Sequence, residues 1–135
     1  MIKEQQLSAL VSLRGQVSMA ESLEIQKSFD FFLGTSAKIE GQPDYSMGSK
    51  YYEALQFKKP IIAVCGPSPL AEMVNQSGLG ITLNPDDSKG SAKQLKAFLE
   101  TGDIEIDAAF LSSKSRRNQL EKLERIWNQL SVKNS

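Results

Sequence analysis

Histidine is absent from this 135-residue sequence, and cysteine occurs once, as Cys65. Because histidine is the commonest general base and metal ligand, any catalysis must depend on carboxylates, lysine, arginine, hydroxyls or backbone dipoles. A single cysteine cannot form an internal disulfide, which indicates a reducing compartment. We therefore expect no metal cofactor, and we interpret Cys65 as a small buried residue rather than a nucleophile.

The sequence also has no long apolar run and no net charge. No window approaches the roughly 18 consecutive apolar residues of a membrane-spanning helix. The first segment, MIKEQQLSAL, lacks the apolar core of a signal peptide, so we expect a cytoplasmic location. The 16 basic residues are balanced by 16 acidic ones. This balance argues against a general nucleic-acid binder, which needs a surplus of cations.

Length and patterning predict one α/β domain over residues 1–135. Short apolar runs, which we interpret as strands, lie at residues 10–16, 29–34, 60–65 and 79–83. Helical segments lie at about residues 18–29, 49–57, 68–78, 91–100 and 114–131. Alternation of strands and helices predicts a Rossmann-like parallel sheet with helices on both faces. We predict N-caps at Ser18, Ser68 and Ser91, and a helix stop at Gly78.

The predicted tail helix has one apolar stripe, because Leu120, Leu123, Trp127 and Leu130 follow helical spacing. Packing in the core or against a partner helix explains this stripe better than a cofactor site does. We interpret the pair Arg116-Arg117 as solvated surface.

Ligands of parallel sheets bind where strands lead into helices, which here means the loops at residues 35–48, 66–69 and 84–90. Gly48, Ser49 and Lys50 lie at a predicted helix start, where N–H groups and the helix dipole favour anions. Glu53 follows one turn later on the same face and could accept hydrogen bonds from ribose hydroxyls. On these residues alone, a capped helix with an ion pair between Lys50 and Glu53 is the better explanation.

A second turn, at Gly66, Pro67 and Ser68, joins a predicted strand to a predicted helix. Glycine at this point lets the backbone approach a ligand, and proline stiffens the turn. The full G-x-G-x-x-G dinucleotide motif is absent, as is the P-loop motif.

The order of these motifs over residues 10–99 resembles a known family. The run GSKYYEALQFKKPIIAVCGPSPLAEMVNQSGLGITLNPDD is similar to the nucleotide-sugar-binding half of GT-B glycosyltransferases of the glycosyl transferases group 1 type. That family shows a Ser-Lys-x-x-Glu helix, a Lys-Pro-Ile-Ile-Ala strand, a turn with a glutamate helix, and then Gly-x-Gly and a Pro-Asp loop. The resemblance implies that Glu53 binds ribose and that Gly48, Ser49 and Lys50 lie near the diphosphate.

The same resemblance implies that Gly66, Pro67 and Ser68 line the donor pocket. Two features depart from the family pattern. Tyr45 occupies the position where many members have a second glutamate, although Asp44 lies beside it. No upstream arginine and lysine match the pair that offsets the diphosphate charge in many members.

The function implied by the resemblance is donor binding in a retaining, metal-independent glycosyltransferase, which passes a sugar from a nucleoside diphosphate sugar to a glycan or lipid-linked acceptor, as in polysaccharide biosynthesis. The chain is shorter than half of such an enzyme, so we expect an inactive piece whose acceptor domain is missing, or one whose missing strand a partner replaces. A homodimer and peripheral membrane association of the complete enzyme stay open. The alternatives are a non-catalytic α/β binding or interaction module, and a sugar-nucleotide epimerase-like GT-B domain.

Overall fold

The computed structural model describes residues 10–36 and 48–133. Within them the strands are β1 (Phe32–Thr35), β2 (Ile61–Val64) and β3 (Gly80–Leu83). The helices are α1 (Met19–Ser28), α2 (Lys50–Phe57), α3 (Pro69–Ser77), α4 (Ser88–Thr101), α5 (Ala108–Ser113) and α6 (Arg116–Lys133).

The three strands form a parallel sheet in the order β1-β2-β3, with Gly34 opposite Ala63 and Ile62 opposite Ile81. This arrangement confirms the predicted α/β class with a parallel sheet. Two right-handed crossovers that step in the same direction place their helices on the same face of a sheet. We therefore expect α2 and α3 on one face, and the core shows both helices there.

The core lies between that face of the sheet and the helices α2 and α3. Ile61 and Ala63 of β2 are fully buried against Ala54 of α2 and against Leu70 and Val74 of α3. The other two residues of β2, Ile62 and Val64, are only partly buried. A continuous apolar run such as residues 60–65 is typical of a strand buried on both faces, but β2 is fully buried on one face only.

The opposite face of the sheet is more open. Leu33 of β1 is 70% exposed. Helix α4 follows β3 and packs against it, and its buried Phe98 meets Phe31 edge-on with ring centroids 6.2 Å apart. An aromatic pair of this geometry adds a modest stabilisation beyond that from the apolar area that it buries.

The predicted N-caps are correct in two of three cases, and Gly78 ends α3 as predicted. The hydroxyls of Ser18 and Ser68 accept hydrogen bonds from the first turns of α1 and α3, which confirms both N-caps. The prediction for Ser91 is wrong, because Asp87 caps α4 by accepting a hydrogen bond from the Gly90 N–H at 2.9 Å. Helix α4 therefore begins three residues earlier than predicted.

Two predicted strands need correction. Residues 10–16 are irregular rather than extended in a sheet, and Leu10 and Leu13 are 83% and 79% exposed. An apolar run becomes a strand only when another strand pairs with it, and no described strand lies beside this run. The strand predicted at residues 29–34 begins at Phe32 because Phe29 still caps the end of α1.

The tail helix predicted at about residues 114–131 corresponds to α6, and the short helix α5 precedes it. Helix α5 ends before Lys114, and α6 begins at Arg116. The stripe formed by Leu120, Leu123, Trp127 and Leu130 is 57–70% exposed, so the core-packing interpretation is wrong for these residues. None of the helices in the described part of the chain combines the length and apolar character needed to cross a membrane.

Candidate functional site

A cleft of about 800 Å³ lies between α2 and the junction of α5 with α6. Its volume falls within the range of roughly 300–1,000 Å³ that is common for small-molecule sites. Polar contributions come from both sides and include Ser49, Glu53, Gln56, Lys114, Ser115 and Arg116. Leu55, Leu111 and the ring of Tyr52 add apolar surface. The cleft therefore combines both charge signs with an apolar wall.

Tyr51 ties the start of α2 to the carboxyl end of β1. Its hydroxyl donates a hydrogen bond to the carbonyl of Thr35 and accepts one from the Thr35 N–H, both at 3.2 Å. Gly34 makes room for the ring, since a Cβ at that position would lie 2.9 Å from Tyr51 Cε1. The first turn of α2 is thus held at the strand-to-helix edge where ligands of parallel sheets bind.

Ser49 occupies the N-cap position of α2 without capping it. Its backbone is helical, and its side chain makes no capping hydrogen bond. Ser49 lines the cleft, and its hydroxyl is not used as a cap. Gly48 precedes it, and a Cβ there would make only an ordinary contact, 3.8 Å from the Tyr51 ring. Nothing in the described residues therefore requires glycine at position 48.

Glu53 lines the cleft and is held in its charged form. Its Oε2 lies 3.2 Å from Lys50 Nζ, so the simple ion pair considered for these two residues is present. Hydrogen bonding by the Gln26 side chain is the largest cause that lowers the pKa of Glu53, and Lys50 adds to it while burial opposes both. The side chain of Glu53 is 19% exposed, against 62% for Lys50. The carboxylate is thus fixed by its neighbours yet still reaches the cleft.

Gln26 is a contributor that the sequence pattern does not reveal. It is buried on α1, where its Nε2 donates a hydrogen bond to Ser22 Oγ at 3.1 Å. No sequence pattern around Gln26 predicts that its side chain lies near the Glu53 carboxylate, 27 positions later. The relation arises from the tertiary fold, since Gln26 is on α1 and Glu53 is on α2.

Lys114 and Arg116 are also absent from the predicted site, although both line the cleft. Lys114 Nζ lies 4.9 Å from the centre of the Phe110 ring. Neither cation has an ion pair with a carboxylate among the described residues. Arg117 instead pairs with Glu121 at 3.1 Å on the outside of α6. Both arginines are exposed, which agrees with their interpretation as solvated surface, but Arg116 also lines the cleft.

The second predicted turn lies apart from this cleft. Gly66, Pro67 and Ser68 follow β2, and none of them lines the cleft. Ser68 is buried and its Oγ accepts a hydrogen bond from the Ala71 N–H at 3.2 Å, so its hydroxyl is used as a cap. A Cβ at Gly66 would meet nothing within 4 Å. Tyr45, with Asp44, lies outside the described residues.

Comparisons with known proteins add no relative: no protein-family model, curated protein or solved structure matches this chain. The described residues contain no group of three or more acidic or cysteine side chains that could hold a metal ion. What the fold defines is an α/β protein with a parallel sheet.

Proposed function

We propose that this chain is the nucleotide-sugar-binding part of a GT-B type glycosyltransferase, with a partial Rossmann-like domain. One observation carries the proposal: Ser49 and Glu53, assigned to diphosphate and ribose by the motif resemblance, line the same cleft at the start of α2. The cleft has the size of a small-molecule site, and Tyr51 holds the start of α2, which forms one side of the cleft, at the end of β1.

In the proposed reaction, the bond between the anomeric carbon and the diphosphate oxygen breaks while a bond to an acceptor oxygen forms. The acceptor hydroxyl releases its proton to solvent, and the nucleoside diphosphate leaves with the electron pair of the broken bond and one additional negative charge. The N–H groups and dipole at the start of α2 stabilise that charge without a metal. Glu53 accepts hydrogen bonds from the ribose and fixes its orientation. A separate domain supplies the acceptor, so this chain alone binds nucleotide without turnover.

A second candidate is a binding or interaction module, which the exposed apolar stripe of α6 favours. Both β1 and β3 are edges of the described three-stranded sheet, and unpaired edges can accept strands from another chain. Strand pairing between two copies is therefore part of this alternative, and light scattering that shows a dimer would support it.

Thermal shift measurements with UDP, GDP and ADP distinguish the two functions. We expect at least one nucleotide to raise the melting temperature of the parent chain, because a ligand that binds only the folded state stabilises it. Glu53→Gln should remove most of this shift, since hydrogen bonds to a charged acceptor are among the stronger ones. Glu100→Gln is a matched control, because Glu100 is an exposed member of a surface pair with Lys96.

The donor-binding function is wrong if no nucleotide shifts the parent, or if Glu53→Gln responds to nucleotides as the parent does. The interaction module then becomes the better explanation.

A further inference from the structure

We infer that Lys114 and Arg116 form a phosphate-binding subsite of the cleft, so that a nucleoside diphosphate lies with its phosphates toward the α5–α6 junction and its ribose toward Glu53. This inference rests on the proposed function and assigns a role to two residues that the motif resemblance does not include.

The first argument is charge. Lys114 and Arg116 bring two positive charges to the cleft, and neither is paired with a carboxylate among the described residues. The acidic side chain in the lining is Glu53, whose charge Lys50 already offsets at 3.2 Å. Two unpaired cations facing one neutralised carboxylate leave the cleft positive, which favours an anionic ligand.

The second argument is that hydrogen bonds fix the backbone of the α5–α6 junction, which carries both cations. The Asn118 side-chain amide donates a hydrogen bond to the Ser112 carbonyl at 2.7 Å, and the Gln119 amide donates one to the Ser113 carbonyl at 2.5 Å. These contacts cross the break between the two helices. Because the junction is fixed before a ligand arrives, less conformational entropy is lost on binding.

The third argument is the match between donors and a phosphate group. A guanidinium presents a planar fork of N–H donors that can bind two phosphate oxygens, and an ammonium adds a mobile point charge. Ser49 contributes a hydroxyl on the opposite wall that is not used as a cap. The cleft can thus hold phosphate between its two walls.

The fourth argument fixes the direction of the ligand. Glu53 offers acceptor oxygens, which repel phosphate and suit hydroxyl groups. Tyr52, 44% exposed, presents an aromatic ring in the same lining. A matching ligand carries phosphate at one end for the two cations, vicinal hydroxyls for Glu53, and a flat ring that can stack on Tyr52. A nucleoside diphosphate is such a ligand.

Calorimetric titration of the full chain tests this subsite with three probes: inorganic pyrophosphate, the nucleoside diphosphate that stabilises the parent most, and its unphosphorylated nucleoside. We expect Arg116→Gln and Lys114→Gln each to weaken binding of both phosphate-bearing probes about tenfold, as loss of a charge-assisted hydrogen bond does. Nucleoside binding should stay unchanged. Arg117→Gln is the matched control, since Arg117 adjoins Arg116 in sequence but pairs with Glu121 outside the cleft.

The possible results separate this subsite from the proposed function. Nucleotide binding that depends on Glu53 but not on Lys114 or Arg116 overturns the subsite and leaves the function standing. Pyrophosphate binding that depends on the two cations, with no contribution from the nucleoside, supports the subsite and counts against the function. Failure of the parent to bind either phosphate-bearing probe overturns both. Far-UV circular dichroism of each variant verifies that these exposed substitutions leave the fold intact.

Discussion

The sheet with α2 and α3 and the tail helix α6 use leucine in opposite ways. Leu70 and Leu79, in the packed part, are 0% exposed, whereas Leu123 and Leu130 of α6 are 61% and 57% exposed. Both parts show helical or strand periodicity of apolar residues. Periodicity therefore identifies which face of an element is apolar, but the fold decides whether anything covers that face.

The difference also separates the sources of stability. Burial of apolar surface yields roughly 25 cal/mol per Å², and the packed part gains most of it. Helix α6 gains little from burial in this chain and depends on local contacts such as the Arg117–Glu121 pair. Such exposed pairs contribute about 0.3–0.5 kcal/mol each.

The largest expected effect comes from truncating one leucine in each part. Leu70→Ala should lower the free energy of unfolding by about 3 to 5 kcal/mol, because it leaves a cavity in the core. Leu123→Ala should change it by less than about 0.5 kcal/mol, since most of that side chain already meets solvent. Urea unfolding followed by circular dichroism measures both values. A comparable loss in both variants would show that the α6 stripe is covered in solution.

A smaller effect is expected from two glycines that end helices in similar left-handed conformations. Gly78 ends α3 at φ 65°, and Gly102 ends α4 at φ 64°. A Cβ at Gly78 would collide with the Glu105 carbonyl oxygen, whereas one at Gly102 meets nothing within 4 Å. Gly102→Ala should cost about 1 kcal/mol for the backbone alone, and Gly78→Ala about 2 to 3 kcal/mol.

Urea unfolding of the two glycine variants side by side gives the test. Equal losses of unfolding free energy would mean that the backbone at Glu105 moves away at little cost. Helix α3 would then be less tightly enclosed than the full burial of Leu70 indicates.

The smallest expected effect concerns pH and Glu53, which lies where the packed part meets the cleft. Because folding lowers the pKa of Glu53, its carboxylate contributes stability above the ordinary value near 4.5. This contribution is lost as the pH falls through the lowered pKa of the folded state. The stability difference between the parent and Glu53→Gln should therefore be larger at pH 7 than in acid. Unfolding curves measured from pH 7 to about pH 3 check this, and a difference that grows in acid would reverse the sign.

Much of the fold could be predicted because it depends on local chemistry. Ser68 and Gly78 mark the ends of α3, and the β-branched run at residues 61–64 forms the central strand. The strand predicted at residues 10–16 fails because pairing is a non-local condition that composition does not encode. Asp87 replaces Ser91 as a cap because both residue types suit that position and only the geometry of the loop selects one.

The candidate site could be predicted in part for the same reason. Ser49 and Glu53 lie one turn apart on one helix, so spacing alone brings them together. Lys114 and Arg116 line the cleft from the junction where α5 ends and α6 begins, more than 60 positions after Ser49. No local sequence pattern predicts that these two residues lie near the start of α2.

The solitary tryptophan of the sequence, Trp127, is on α6 and is 70% exposed. Its emission therefore reports the surroundings of α6 rather than the integrity of the sheet. Melting of the core should leave the tryptophan spectrum almost unchanged, whereas any surface that covers α6 should shift it toward the blue. The chain thus carries its own optical reporter of contacts at that helix, and a complete unfolding curve needs a second signal, such as circular dichroism.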